Sequence, residues 1–244
     1  MKGIKTERLK IDTFSGEVSC VGAVQGRVFI STGDGNVVGK GRFLGPQLEV
    51  NTDGGEINIS SCYSDQSKFT TRRGSMELKN MHNVSNVEVT EEGNVTMQGL
   101  DGATEVKVQK GSLDMGVSRV RSESKVEVVE GNVTLKLSPS HPLLLKVSAR
   151  EIKVDSYFGK LGNVEEVQGG QKLCAATAGV EGPLLHVVAP AGKVEVRQQS
   201  WAESIGLNMG GLSKGGDLEG ETRKKGSIEG WSIEDILAED KEKK

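Results

Sequence analysis

From Ser124 to Leu137 the chain reads SKVEVVEGNVTLKL. Val126 and Val128 alternate with Lys125 and Glu127; beyond Gly131, Val133 and Leu135 alternate with Asn132, Thr134 and Lys136. Alternation of period two predicts strands with one apolar face, and the glycine between them predicts a turn. The phrase recurs along the chain. Gly16, Gly35, Gly55, Gly74, Gly93, Gly111 and Gly131 are spaced 18 to 20 residues apart. Two residues after each glycine stands Val18, Val37, Ile57, Met76, Val95, Leu113 or Val133, and four after it Cys20, Gly39, Ile59, Leu78, Met97, Met115 or Leu135. Only Gly39 breaks this apolar set, which predicts inward side chains at both offsets, Cys20 included. The strand before each glycine is as regular: Leu9/Ile11, Val28/Ile30, Leu48/Val50, Val87/Val89, Val106/Val108 and Val126/Val128, with a weaker rung at Ser67 and Phe69. Turn chemistry around the glycines, as in Asp34-Gly35-Asn36 and Glu130-Gly131-Asn132, predicts that they adopt positive φ.

Two further units fit the pattern. Leu145/Val147, Arg150 and Ile152/Val154 repeat it with arginine at the glycine position; Leu185/Val187, Gly192 and Val194/Val196 repeat it again. Residues 156–182 have room for one irregular coil lined by Val167, Leu173 and Ala175. A period near 20 residues is the signature of a solenoid, in which no unit buries its apolar stripe alone. The expected fold is all-β: a single-stranded parallel β-helix or β-solenoid, right-handed, about 19 residues per coil. About ten coils stacked in sequence order would make a rod of ~45 Å. The unbroken period places 9–200 in one repeat domain. The 33 glycines and only 5 prolines among 244 residues agree with this.

The recurring phrase, as GEVSC, GEINI, GNVTM, GNVTL and GKVEV, resembles the bacterial and eukaryotic adhesin-like β-solenoids known as domain of unknown function 4097. The blocks IKVDSYFGKLG and KVEVRQQSW are similar to its animal branch, family with sequence similarity 185. The resemblance spans residues 9 to about 201. It implies a β-solenoid fold and no catalytic residues.

Candidate chemistry is sparse. Cys20, Cys62 and Cys174 show no paired spacing and read as small hydrophobes in a reducing compartment. His82, His141 and His186 fall at different offsets, so they predict no metal cluster. Four sequons, at Asn58, Asn83, Asn94 and Asn132, read as turn and strand chemistry. Asp34, Asp53, Glu92 and Glu130 read as a solvated turn edge. A carbohydrate-active β-helix needs paired carboxylates beside aromatic platforms. Two Trp, two Tyr and five Phe in the whole chain supply few, and Glu77 and Asp114 share a face two rungs apart. With 31 basic and 34 acidic residues, no basic field for nucleic acid is expected. No apolar run is long enough for a membrane helix, and MKGIKTERLKIDT lacks a secretory signal.

Beyond the repeats, Ser200-Trp201-Ala202-Glu203 predicts a helical cap over 201–206. Residues 207–230 predict a disordered linker. GWSIEDILAEDKEKK predicts a short amphipathic helix over 231–244, with Trp231, Ile233, Ile236 and Leu237 as a partner-binding hook. The expected function is that of a non-catalytic scaffold or protein-interaction module without cofactors. The partner is a protein, and self-association runs through the N-terminal coil. The alternative is a carbohydrate-active enzyme or a carbohydrate- or surface-binding adhesin-like protein. The expected location is intracellular: cytoplasmic for this chain, or mitochondrial, as the animal resemblance implies, if a leader precedes it.

Overall fold

Alternating apolar positions on both sides of each glycine become parallel strands in the computed structural model, which describes residues 3–177 and 182–199. The first coil holds β1 (Ile4–Thr13) and β2 (Val18–Cys20); β3 (Val24–Thr32) follows. Strands β4 (Val37–Thr52) and β5 (Ile57–Arg73) each run through a corner without a break. Then come β6 (Met76–Lys79), β7 (His82–Glu92), β8 (Val95–Lys110), β9 (Leu113–Val120), β10 (Ser124–Glu130) and β11 (Val133–Leu137). Neighbouring coils pair in parallel: Val95 and Met97 lie beside Leu113 and Met115, which lie beside Val133 and Leu135. All six are buried. The protein is a β-solenoid of about seven turns in sequence order, fewer than the ten expected.

What fixes the corner is close approach rather than backbone conformation. A Cβ built on Gly35, Gly55, Gly74, Gly93, Gly111 or Gly131 would fall inside 3.0 Å of the carbonyl oxygen of the glycine one coil earlier. Only Gly16, Gly111 and Gly131 of this column have positive φ, which corrects the expectation that all would. Side chains bind adjacent corners together. Asn36, Asn94 and Asn132 each accept, through Oδ1, the backbone N–H that follows the glycine of the next coil in the stack, at 2.8, 2.9 and 3.0 Å. The Gly35 and Gly55 N–H groups donate to Thr32 and Thr52 Oγ1, both at 3.0 Å.

The irregular rungs have physical reasons. A side chain at Gly39 would strike the Phe43 ring and Ile59 Cδ1, so Phe43 fills that place in the core. Ser67 starts an internal hydroxyl ladder. Its Oγ lies 3.0 Å from Ser85 Oγ, Thr104 Oγ1 donates to the Ser85 carbonyl at 2.9 Å, and Ser124 Oγ accepts the Thr104 N–H at 3.0 Å. Buried hydroxyls are tolerated because they are hydrogen-bonded. Cys20 and Val18 are half-buried rather than buried, because among the described residues the first coil has a neighbour on one side only.

Beyond β11, stack order departs from chain order. β12 (Leu143–Val154), the coil with Arg150, does not lie on β11. The last strand, β15 (Leu184–Gln198), is inserted between them, parallel to β10 and β11 on one side and to β12 on the other. Gly192 takes the next place in the glycine column, where a Cβ would strike the Gly131 carbonyl. β12 turns its corner with the single residue Arg150 where β15 uses Pro190, Ala191 and Gly192, which produces the register shift between Ala149 and Glu151. Residues 156–177 form no coil. A 3-10 turn (Phe158–Lys160) precedes an antiparallel hairpin, β13 (Gly162–Val167) and β14 (Gly170–Thr177), laid on β12. Leu173, Ala175 and Phe158 are buried there, whereas Val167 is exposed. Asp155 joins this cap to the inserted coil. Its Oδ1 accepts the Tyr157 and Phe158 N–H groups, and its Oδ2 accepts the Gln198 N–H.

Close approach predicts a ranking. Gly93 lacks positive φ and faces the Gly74 carbonyl, whereas Gly16 has positive φ and open space. Gly93→Ala should cost about 2–3 kcal/mol and Gly16→Ala about 1 kcal/mol, measured by thermal or urea unfolding. Equal losses would mean that φ, not contact, selects the glycines.

Candidate interaction surfaces

Outward positions on the strands before the glycines alternate in charge along and across the coils. Glu88, Lys107 and Glu127 form one row, with Glu105 and Lys125 beside them. Lys107 Nζ is 2.8 Å from Glu105 Oε1, and Lys125 Nζ is 3.0 Å from Glu127 Oε2. The hydrogen bond from Lys107 holds the Glu105 carboxyl below its usual range. A checkerboard of this kind sums to little field and is a solvated face.

The opposite face carries Glu77 and Asp114, separated by Thr96 in register. Glu77 pairs with Lys79 and accepts the Asn58 amide at 2.8 Å; Asp114 Oδ2 lies 2.8 Å from Lys136 Nζ. The two carboxylates thus bind separate lysines instead of facing one another.

A third feature runs along the remaining corner. The Tyr63 and His82 rings stack with centroids 4.2 Å apart. His82 Nδ1 is 3.9 Å from Asp101, and Arg121 grips both Asp101 oxygens at 2.8 Å. These four residues stand on successive coils. The Arg121 hydrogen bond holds the Asp101 carboxyl below the usual carboxylate range, opposed in part by burial and assisted by the charges of Arg121, His82 and Arg119. Residue positions 18 to 20 apart converge here only because the coils are in register.

The remaining expected positions are dispersed. Burial pushes the Cys62 and Cys20 thiols up; Cys174 is exposed, and all three are free. His186 lies between Lys125 and Lys146 on the outer face, away from His82. Among the described residues no group of three His, Cys, Asp or Glu side chains could hold a metal ion. The Asn83 amide donates to the Ser64 carbonyl at 3.1 Å, so each of the four sequon asparagines has a structural hydrogen bond. At the glycine corner, Arg72 and Arg73 pair with Glu91, and Lys110 with Glu92. Trp231, Ile233, Ile236 and Leu237, together with the cap over 201–206 and the linker over 207–230, lie outside the described residues.

The sheet ends remain. Among the described residues β1 pairs only with β3, and β13 only with β14. Each leaves its outer backbone groups without a strand partner. Ile4, Phe14 and Val21 are 54, 85 and 61 % exposed around β1, and Val164 and Val167 are exposed on β13. A groove of about 520 Å³ beside β1 is lined by Lys5, Gln25, Arg27 and Pro46.

The family model described as Toastrack DUF4097 matches residues 1–171. The chain belongs to the DUF4097 family. The match covers the sequential coils and reaches into β14, and the inserted β15 lies beyond it. No solved structure matches the chain. No helix among the described residues is long and apolar enough to cross a membrane.

The corner pair has a pH signature. A carboxylate depressed in the folded state contributes stability above its unfolded value of about 4, and loses it as pH falls through the lower folded value. Arg121→Ala should lower the melting temperature by no more than about 3 °C near neutrality, because the arginine side of the pair is solvent-exposed. That gap should close as the pH falls below about 4. A gap independent of pH would assign Arg121 a packing role instead.

Proposed function

We propose that this DUF4097 chain is a non-catalytic scaffold whose sheet edges engage other proteins, and that it belongs to the animal branch of the family. The observation that carries the reading is β1: an edge strand of ten residues with apolar side chains exposed around it. Such an edge templates strand addition, in which backbone hydrogen bonds supply affinity and alternate side chains supply specificity. β1 carries charged Lys5, Glu7, Arg8, Lys10 and Asp12 and a register shift between Lys5 and Arg8, but these leave its outer backbone groups open to a further strand. It has no proline, and its Lys10 is neutralised by Asp12 at 2.7 Å. β13 carries Glu165 and Glu166 in mid-strand. Self-association through the N-terminal coil is the simplest form of this activity. Three free thiols support placement in a reducing, intracellular compartment.

Light scattering on the full chain should show association that grows with concentration. Ile11→Lys sets a charge on the half-buried inner side of the edge and should weaken that association at least several-fold. A monomer at all concentrations, unchanged by Ile11→Lys, would remove β1 as the interaction surface.

A further inference from the structure

β1 presents two rows of side chains to whatever lies against its open edge. The inner row is apolar. Leu9 and Ile11, in register with Val28 and Ile30, are only partly covered. The outer row is charged and does not balance. Lys10 and Asp12 neutralise each other. Arg8, however, stands beside Arg27, and the row continues through Gln47 and Gln66 without a carboxylate. Arg8 lies over the Phe29 ring, 4.9 Å from its centroid. The diagonal neighbour of Arg27 on β4, Glu49, accepts the Asn51 amide instead. Among the described residues neither arginine has an ion-pair partner. Like charges at adjacent strand positions repel, and an anion set against them removes that cost.

A groove opens at the same end of the strand, because the second coil is one residue short there. Gly26 stands alone between Gln25 and Arg27, where β1 has Thr6 and Glu7 and β4 has Gly45 and Pro46. A Cβ on Gly26 would strike the Thr6 carbonyl, so no side chain fills the gap. Lys5 and Arg27 line the groove, and Glu7 is the one carboxylate among its lining residues. Arg27 thus belongs both to the arginine row and to the groove.

We infer that the partner strand recognised by β1 is acidic at one fixed place: it carries a carboxylate beside Arg8 and apolar side chains beside Leu9 and Ile11. This rests on the reading of β1 as an interaction edge and adds what that edge selects. Strand alternation points the residue beside Arg8 outward, toward the cations, and the residues beside Leu9 and Ile11 inward, onto the open apolar row. A basic residue in the first place would add a third cation to the Arg8–Arg27 row. The place beside Lys10 discriminates little, because Asp12 already neutralises it.

The test titrates the full chain into short, fluorescently labelled peptides and reads anisotropy. Each peptide has a Val-Thr-Val core within serine and glycine flanks, and one position adjoining the core holds glutamate, serine or lysine. The set is made in both orders, with the variable residue before or after the core, because an added strand can run in either direction. In at least one order glutamate should bind several-fold more tightly than serine, and lysine more weakly than serine. The differences should shrink at high salt, where exposed charges are screened. Arg8→Glu should reverse the ranking in favour of lysine, and Ile11→Lys should abolish binding of every peptide. Arg27→Glu, one place along the same row, should weaken the glutamate peptide and serves if Arg8→Glu does not fold. Equal affinities for all three residues, each lost in Ile11→Lys, would leave β1 as the edge and overturn the acidic preference. Binding that survives Ile11→Lys, or no binding by any peptide, would also overturn the proposal; the concentration-dependent association of the chain alone then decides separately whether β1 is an interaction edge.

Discussion

From Gly35 to Gly131, and again at Gly192, the glycine corner rests on the carbonyl oxygen of the glycine below it in the stack, and nothing larger than a hydrogen atom fits between them. Close backbone approach, not turn conformation, is therefore the constraint on which the stack depends. It holds neighbouring corners in contact, so that the strands on either side stay in ladder register and one continuous apolar stripe is buried along the rod. It also explains why the column tolerates variation in φ but not in residue type from Gly35 to Gly131. The asparagine after several of these glycines then uses the contact, reaching the next backbone N–H with its side-chain oxygen.

The same constraint decides where the final coils go. Arg150 cannot stand where Gly192 stands, above Gly131. The Arg150 coil is displaced outward by one position, turns its corner with fewer residues, and receives the β13–β14 hairpin as a cap. One end of the stack is closed by antiparallel strands and the buried Phe158, while the β1 end leaves Leu9, Ile11, Val18 and Cys20 only partly covered among the described residues. The faces between the ends are charge-balanced, so the exposed apolar side chains of β1 and β13 stand out from them.

Strand periodicity and glycine spacing make the coils legible, since a period of two on either side of a fixed glycine admits few other folds. The insertion of β15 is not legible from periodicity, because a regular repeat fixes the coils but not the order in which they stack. Its signal was nevertheless present: glycine at 192 and arginine at 150, in a column where a side chain is excluded. Ser67 and Gly39 looked like defects because their compensation lies elsewhere, in Ser85 one coil away and in the Phe43 ring. The Tyr63–His82–Asp101–Arg121 corner could not be read at all. Its members stand outside the regular strand offsets and meet only once the register is known.

The most direct measurement asks which strand lies beside β11. In solution, nuclear Overhauser contacts across adjacent parallel strands report distances of a few ångströms. The glycine constraint places Val194 next to both Val133 and Ile152, as their registers show. Contacts from Val194 to both, with none between Val133 and Ile152, are the predicted result. Direct Val133–Ile152 contacts would mean that the coils stack in chain order and that close approach at Gly131 does not govern the fold.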